Sequence, residues 1–483
     1  MVLSNINSLT SYLPELMILV MILIVFLYES FKSYRQYIFT VLSAGMISVI
    51  ILMYLYNPSS NLLFEGMLVN DSLSIFLKWI LVISTFSVII ISKNDNSILD
   101  DIKSEYYAML LIILLGMFAM VSATNLLMVY LAIEMVSIPS YIIAGISKND
   151  KESNEAALKY VIYGSFASGI MLFGLSFLYG LTGTTDIYTI SNQLANNENS
   201  LLIYLSMIFI LVGFGYKISM VPFHYWTPDV YQGAPITVTT FLSVAPKAAG
   251  FAILIRFFYS IFVTNGAPII EWTNIIAIFS ALTMTVGNIL ALKQTNIKRL
   301  LAYSSISHVG FMLIALSIVS IDSVTSVLFY LVFYMFMNLS AFFVAIYMSN
   351  AYQADNIDDW NGLGLKMPVI SIFMVLSLAS LAGLPPTSGF IGKVYVLRNL
   401  FADQQYLWLG IVAIINTVVS LYYYFNIVKA MYFIENDSLE YKSADKALYF
   451  FIIIFSAQNI LFYLYWSPLW NYLKSIVESI NIL

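Results

Sequence analysis

Residues Gly213-Phe-Gly-Tyr-Lys-Ile-Ser-Met-Val-Pro-Phe-His-Tyr-Trp-Thr-Pro-Asp229 close an apolar run that starts near position 200. The run has about the 20 residues a helix needs to cross a bilayer. Two prolines and two glycines interrupt it, and Lys217 sits at the interruption. Proline removes a backbone donor and clashes with the preceding turn. Within a membrane such a break is tolerated where it is buried in protein or lines a watery cavity. The stretch reads as a broken transmembrane helix that carries a cation, and the rest of the chain agrees.

Of 483 residues, 60% are hydrophobic and 10% are charged. Soluble domains hold about 45–50% and about 25%. The composition excludes a soluble enzyme, a nucleic-acid binder and a disordered chain. The net charge of −5 offers no polyanion-binding surface. With no cysteine there are no disulfides, no cysteine-ligated zinc or iron–sulfur cluster and no thiol catalysis. Two histidines are too few for a histidine-rich metal site.

Apolar runs are expected to span at roughly 13–31, 36–56, 72–92, 107–121, 125–147, 156–181, 200–222, 235–261, 272–292, 298–319, 324–349, 368–397, 404–430 and 447–466. The first lacks the small-residue cleavage site of a signal peptide. The runs are continuous rather than alternating, which favours helices over a barrel. The expected fold is an all-α polytopic membrane protein of about 14 transmembrane helices. We divide it into an N-terminal three-helix segment (1–106), a first repeat (107–262), a second (263–432) and a C-terminal helix with its tail (433–483).

Loop charges orient it. With the amino terminus outside, the inside loops hold Lys32, Arg35, Lys93, Lys103, Lys148, Lys151, Lys293, Lys298, Arg299, Lys366, Lys429, Lys442 and Lys446, with Lys159 close by. Only Arg398 and Lys474 fall outside. This is a strong positive-inside asymmetry. It places both termini on the outer, periplasmic side of a plasma membrane.

The remaining charges lie in spans, where each costs about 2.5–3.5 kcal/mol at the bilayer centre. Glu134 is near the middle of span five, as a structural carboxylate or as a proton or ion site. Lys217 sits at the broken seventh span, snorkelling to the surface or held at a cavity. Lys247 follows Pro246 about 18 Å into span eight, at 1.5 Å per residue, locked in an ion pair or free to exchange a proton. Lys393 ends a second interrupted span, Leu381-Ala-Gly-Leu-Pro-Pro-Thr-Ser-Gly-Phe-Ile-Gly-Lys393. His308, about 15 Å into span ten, stands among Tyr303, Ser304, Ser305 and Ser307, as a packing residue or part of a hydrated relay. Secondary candidates are Lys159 and His224, each read equally as structural or functional. Lys78 and Arg256 read as snorkelling or lipid-contacting, and the many Met, Phe and Tyr residues as lipid-facing or packing. The interrupted spans are the seventh and twelfth. An odd offset of five makes spans 4–8 and 9–13 inverted repeats, and paired broken helices in inverted halves point to an ion site at the midplane.

Five stretches carry a resemblance: 131–141, 155–169, 217–235, 298–308 and 383–393. Together they resemble the antiporter-like (Mrp-type) membrane subunits of respiratory complex I, the proton-pumping NADH:quinone oxidoreductase, in their subunit N branch. Subunit M typically has a glutamate where Lys393 stands, and subunit L is longer, ending in a lateral helix. Animal mitochondrial members lack the first three spans, so a bacterial source is expected. The resemblance implies that Glu134 pairs with Lys217 and modulates it. Lys217 loads from the inside, Lys247 and His308 pass the proton along, and Lys393 is the outer relay. It also implies neighbouring antiporter-like and small membrane subunits as partners. Quinone, FMN and iron–sulfur clusters belong to partner subunits, and this chain has no redox centre. The alternatives are a cation/proton antiporter subunit of the same superfamily and a structural scaffold.

Overall fold

The computed structural model describes residues 3–31, 36–55, 61–195, 200–402, 404–436 and 445–480. Lys32, Arg35 and Lys442 lie outside the described residues. The chain opens with α1 (Asn5–Thr10), α2 (Leu13–Ser30), α3 (Ile38–Leu55) and α4 (Ser72–Ser92). Then follow α5 (Lys103–Ser122), α6 (Leu126–Ala144), α7 (Lys151–Thr182), α8 (Ile187–Ala195), α9 (Ser200–Ile218), α10 (Trp226–Gly233) and α11 (Ile236–Phe262). A second series runs α12 (Trp272–Ala291), α13 (Ile297–Leu316), α14 (Ile321–Tyr352), α15 (Leu363–Lys366), α16 (Pro368–Ala382), α17 (Ser388–Ala402) and α18 (Leu407–Phe433). It ends with α19 (Lys446–Leu464) and α20 (Ser467–Ser479). Two short antiparallel hairpins, 61–63 with 68–70 and 263–264 with 267–268, are the described β-structure.

Thirteen of the described helices are long and apolar enough to cross a membrane. The broken pair α16–α17 supplies a fourteenth crossing. Loop contacts support that number. Asn96 bonds Asn350, Ser147 bonds Ser97, Asn296 bridges to Asn356 and Gly362 bonds Ala430. These loops carry most of the lysines, and they gather on one side, the basic face. On the far face Leu68 bridges to Ala123, Asn125 to Asp186, and Tyr406 bonds Thr273. Alternate loops therefore lie on alternate faces, as an unbroken series of crossings requires. The expected all-α polytopic fold is what the chain adopts.

Every residue of α11 is buried, as is nearly all of α13 and α14. A helix hydrophobic all round belongs in a core. The peripheral α2, α3, α18 and α19 keep only a minority of residues buried. Core hydroxyls have no water to bond and turn back to their own helix. Thr240 donates to Ile236 O at 2.7 Å and Ser84 to Ile80 O at 2.8 Å.

This burial corrects the snorkelling reading of two cations. Arg256 on α11 has no lipid to cross. Its guanidinium forms a fork on the Asp71 carboxylate, 2.8 Å for each arm, and donates to Val121 O at 3.2 Å. Lys78 on α4 is sealed against Glu15 of α2 at 2.6 Å. Snorkelling needs a lipid-facing stem, and neither helix face offers one.

Candidate functional site

Span seven breaks because residues 219–225 cannot continue a helix. Ser219 turns to φ +65°, and Pro222 lacks a donor. The freed backbone groups are re-satisfied locally. Met220 N bonds Gly215 O at 2.7 Å, Trp226 Nε1 bonds Tyr216 O at 3.1 Å, and Val221 N reaches Thr283 of α12 at 3.1 Å. Lys217 lies in the last turn of α9, where helix carbonyls favour a cation. Span twelve breaks at Gly383, whose φ of +80° caps α16. Lys393, on the second turn of α17, reaches back to the freed carbonyl of Ala382 at 2.9 Å. A Cβ on residue 383 would meet the Lys393 side chain at 2.7 Å. Both interrupted spans thus present a lysine to the carbonyl end of a half-helix.

Span eight is not broken. Pro246 lies inside α11, and it leaves the carbonyl four residues earlier without its helical donor. That carbonyl, Leu242 O, accepts the phenol of Tyr231 at 3.1 Å. Lys247 Nζ donates to Ser305 of α13 at 2.6 Å and stands 5.6 Å from the centre of the Tyr231 ring.

The lysines are 3% (Lys217), 1% (Lys247) and 4% (Lys393) exposed. A Cβ at Gly250 would touch Ile218 and lie 3.6 Å from Lys217 Cγ. Lys247 is one turn from Gly250 on α11, so Lys217 and Lys247 are neighbours across the α9–α11 contact. From Ser305, one turn along α13 reaches His308. Its Nδ1 lies 2.8 Å from Tyr330 Oη and its Nε2 3.3 Å from Tyr424 Oη. Tyr424 also bonds Ser304. A further turn reaches Phe311, whose ring lies under Lys393 Nζ at 4.7 Å. The four buried positions expected from the sequence therefore form one line, Lys217–Lys247–His308–Lys393.

Glu134, on α6, makes no ion-pair contact with this line among the described residues. Among the described residues no carboxylate lies within 4.0 Å of Lys217. Lys217 Nζ instead donates to Ser137, one turn from Glu134 on α6, at 3.1 Å. Oε1 of half-buried Glu134 makes no hydrogen bond among the described residues. Ser137 was within reach of sequence reasoning, because a residue three after Glu134 shares its helix face. Replacing Ser137 by alanine should cost about 1.5 kcal/mol of hold on the ammonium. For the proton transfer that the resemblance implies, the variant should assemble normally and be slower; an unchanged rate in vesicles would show the contact to be idle.

Lys159 lies apart from the line, on the basic face. It bonds Glu155 at 2.7 Å and Asp229 at 2.6 Å, and Arg299 reaches the other Asp229 oxygen at 2.6 Å. These residues border an open pocket of about 420 Å³. Burial alone would raise the Asp229 carboxyl, but the bonds from Lys159 and Arg299 outweigh it and hold it below the ordinary carboxylate value. Asp229 ties the short α10 to α7 and α13. Each arm is part-exposed and worth about 1 kcal/mol at most. Asp229→Asn should therefore leave the fold intact yet speed amide exchange across 226–233. His224 is buried beside Tyr225, 4.6 Å between ring centres, and among the described residues no hydrogen bond joins it to the lysine line.

With this geometry in view, the comparisons with known proteins are specific. Residues 123–420 match the family model described as NADH:quinone oxidoreductase/Mrp antiporter, TM. The subunit N of NADH-quinone oxidoreductase from Anaeromyxobacter sp. is 37% identical over 98% of this chain and 97% of its own. The chain belongs to the subunit N family of NADH-quinone oxidoreductase. A second relative, subunit N 2 of Chloroherpeton thalassium, is 40% identical over 95% of this chain and 93% of its own. Among solved structures, respiratory complex I from Thermus thermophilus with bound aureothin contains a similar chain. Its TM-score is 0.79 at 26% identity, covering 95% of this chain and 98% of that one. In this subunit N family member the buried lysine line occupies the centre of a fold matched from end to end.

Proposed function

We propose that this chain moves protons across the membrane as a subunit of an NADH-quinone oxidoreductase. One observation carries the reading: three buried lysines, none in contact with a carboxylate among the described residues, on one polar line that starts and ends at helix breaks. An ionised carboxylate nearby favours the ammonium form of a lysine, and burial favours the amine. A lysine whose carboxylate neighbour approaches and recedes alternates between taking up and giving away a proton. We take Glu134, half-buried and one turn from the Ser137 that Lys217 bonds, as that neighbour. Lys247 with His308 then carries the proton along α11 and α13, and Lys393 is the outer relay. The basic face is the inside by the positive-inside asymmetry, so both termini lie outside, in a bacterial plasma membrane.

Each proton moved against the membrane potential costs about 2.3 kcal/mol per 100 mV. Electron transfer to quinone in partner subunits, which hold the FMN and iron–sulfur clusters, supplies that work. The partners are a neighbouring antiporter-like subunit and small membrane subunits. The alternative, a cation/proton antiporter subunit, shares the matched family model. The near full-length relatives named subunit N favour the first reading. The test is purification of the complex from its native membrane, with identification of every partner, followed by reconstitution in vesicles. NADH-driven acidification with quinone reduction is expected. Sodium-driven acidification by a complex without dehydrogenase subunits would overturn the reading.

A further inference from the structure

We propose that the hydroxyls of Tyr141 and Tyr216 form the route by which a proton travels from the charged pocket on the basic face to Lys217. The inference rests on the relay role proposed for Lys217 and adds the residues that feed it. Three observations on different helices converge. First, the Lys217 ammonium bonds Ser137, and Tyr141 lies one turn further along the same face of α6. Second, α7 makes room for the meeting. A Cβ on residue 164 would lie 1.9 Å from the Tyr141 phenol oxygen and 2.8 Å from that of Tyr216. Gly164 thus leaves one small space in which both oxygens sit. Third, Tyr216 Oη bonds Tyr160 O at 2.9 Å, and Tyr160 directly follows Lys159 of the pocket. The Tyr160 ring stacks on Trp226, 4.4 Å between centres, three residues before Asp229. Water from the open pocket beside Lys159 and Asp229 hands a proton to Tyr216, whose hydroxyl the Tyr160 carbonyl only orients, and the order from there is Tyr216, Tyr141, Ser137, Lys217.

Packing alone does not account for this arrangement. Buried tyrosine hydroxyls normally find a partner. Tyr141 is 8% exposed, yet among the described residues its oxygen makes no hydrogen bond of good geometry. A hydroxyl donates and accepts at the same atom. Rotation of the Tyr216 O–H from the Tyr160 carbonyl toward Tyr141 completes the series without moving a ring. The proton entering at one hydroxyl is matched by one leaving at the next, so the tyrosines end unchanged.

The test uses the whole complex in sealed vesicles, with assembly measured for each variant. Tyr141→Phe, Tyr216→Phe and the double variant keep the rings and remove the hydroxyls. The double variant should lower NADH-driven proton pumping by roughly tenfold and enlarge the solvent deuterium isotope effect on quinone reduction. Gly164→Ala should do the same by filling the shared space. Gly169→Ala, where an added Cβ meets nothing within 4 Å, should pump at the parent rate. The single variants keep the test usable if the double one does not assemble. Parent pumping and isotope effect in the Phe variants, with pumping lost in Lys217→Ala, would overturn the route and leave the relay reading standing. Parent pumping in Lys217→Ala as well would overturn both.

Discussion

Lys217→Ala/Lys247→Ala, in a complex that assembles normally, should lose at least tenfold in both proton pumping and coupled quinone reduction. A positioned acid–base group contributes roughly 10²–10⁴ to the rate of a proton-transfer step, so tenfold is the low end. The effect should be large because nothing stands in for either lysine. Among the described residues Lys247 has Ser305 as its hydrogen-bond partner and Lys217 has Ser137. Serine hydroxyls orient an ammonium without replacing its charge. Alanine leaves a cavity where each stem lay, but it also removes a buried ammonium that no carboxylate pairs, so assembly should survive. Redox chemistry is expected to slow together with pumping, because the two are coupled across subunits. Measurement of NADH-driven acidification and quinone reduction in the same vesicles decides it. Full coupled activity in the assembled double variant would remove the lysine line from the mechanism.

The largest stability effect is expected at the far face. Asp71→Asn leaves Arg256 buried and unpaired, and breaking a buried pair from one side costs about 3–5 kcal/mol. Asparagine is as good an N-cap as aspartate, so the cap that Asp71 makes to Ser74 at 2.8 Å survives and the charge alone is lost. Burial by itself would raise the Asp71 carboxyl, but the Arg256 guanidinium and the Ser74 bonds outweigh it and hold it below the usual carboxylate range. The sign follows from linkage. A carboxyl depressed in the folded state contributes stability above its unfolded pKa of about 3.9, and that contribution drains away as pH falls through the folded value. The gap between parent and Asp71→Asn should therefore be full at neutral pH and narrow only in acid. Melting of the purified complex across pH reads it. Pairing Asp71→Asn with Arg256→Met should recover part of the loss, since no buried charge then lacks a partner.

The crossings and the buried lysines were legible because charge is scarce here, so a lysine inside an apolar run stands out. The partners of those lysines were not. Ser137, Tyr330 and Tyr424 carry no charge, and with 35 tyrosines in the chain no single one signals itself. Tyrosines read as packing or lipid-facing turn out, at 216, 231, 330 and 424, to be buried around the polar line. Arg256 and Lys78 were misread for another reason. Depth along a helix shows how far a side chain must reach for water, while the helix's own burial decides whether that way is open. The partners, Asp71 and Glu15, lie 185 and 63 residues away, beyond any local pattern. The hydroxyl that Lys217 bonds, Ser137, lies one turn from Glu134 on α6, a contact that helix periodicity allows but does not select.

The Tyr231 phenol holds the one carbonyl that Pro246 sets free, while its ring lies beside the ammonium of the next residue along. A straight helix spreads its rigidity over every backbone bond. Here one turn of the central helix lacks such a bond, and side chains of two neighbours hold it from outside: Tyr231 of α10 at Leu242 O, and Tyr334 of α14 at Ser243 O. The stiffness of the turn that carries Lys247 therefore belongs to the packing around α11 rather than to its own backbone.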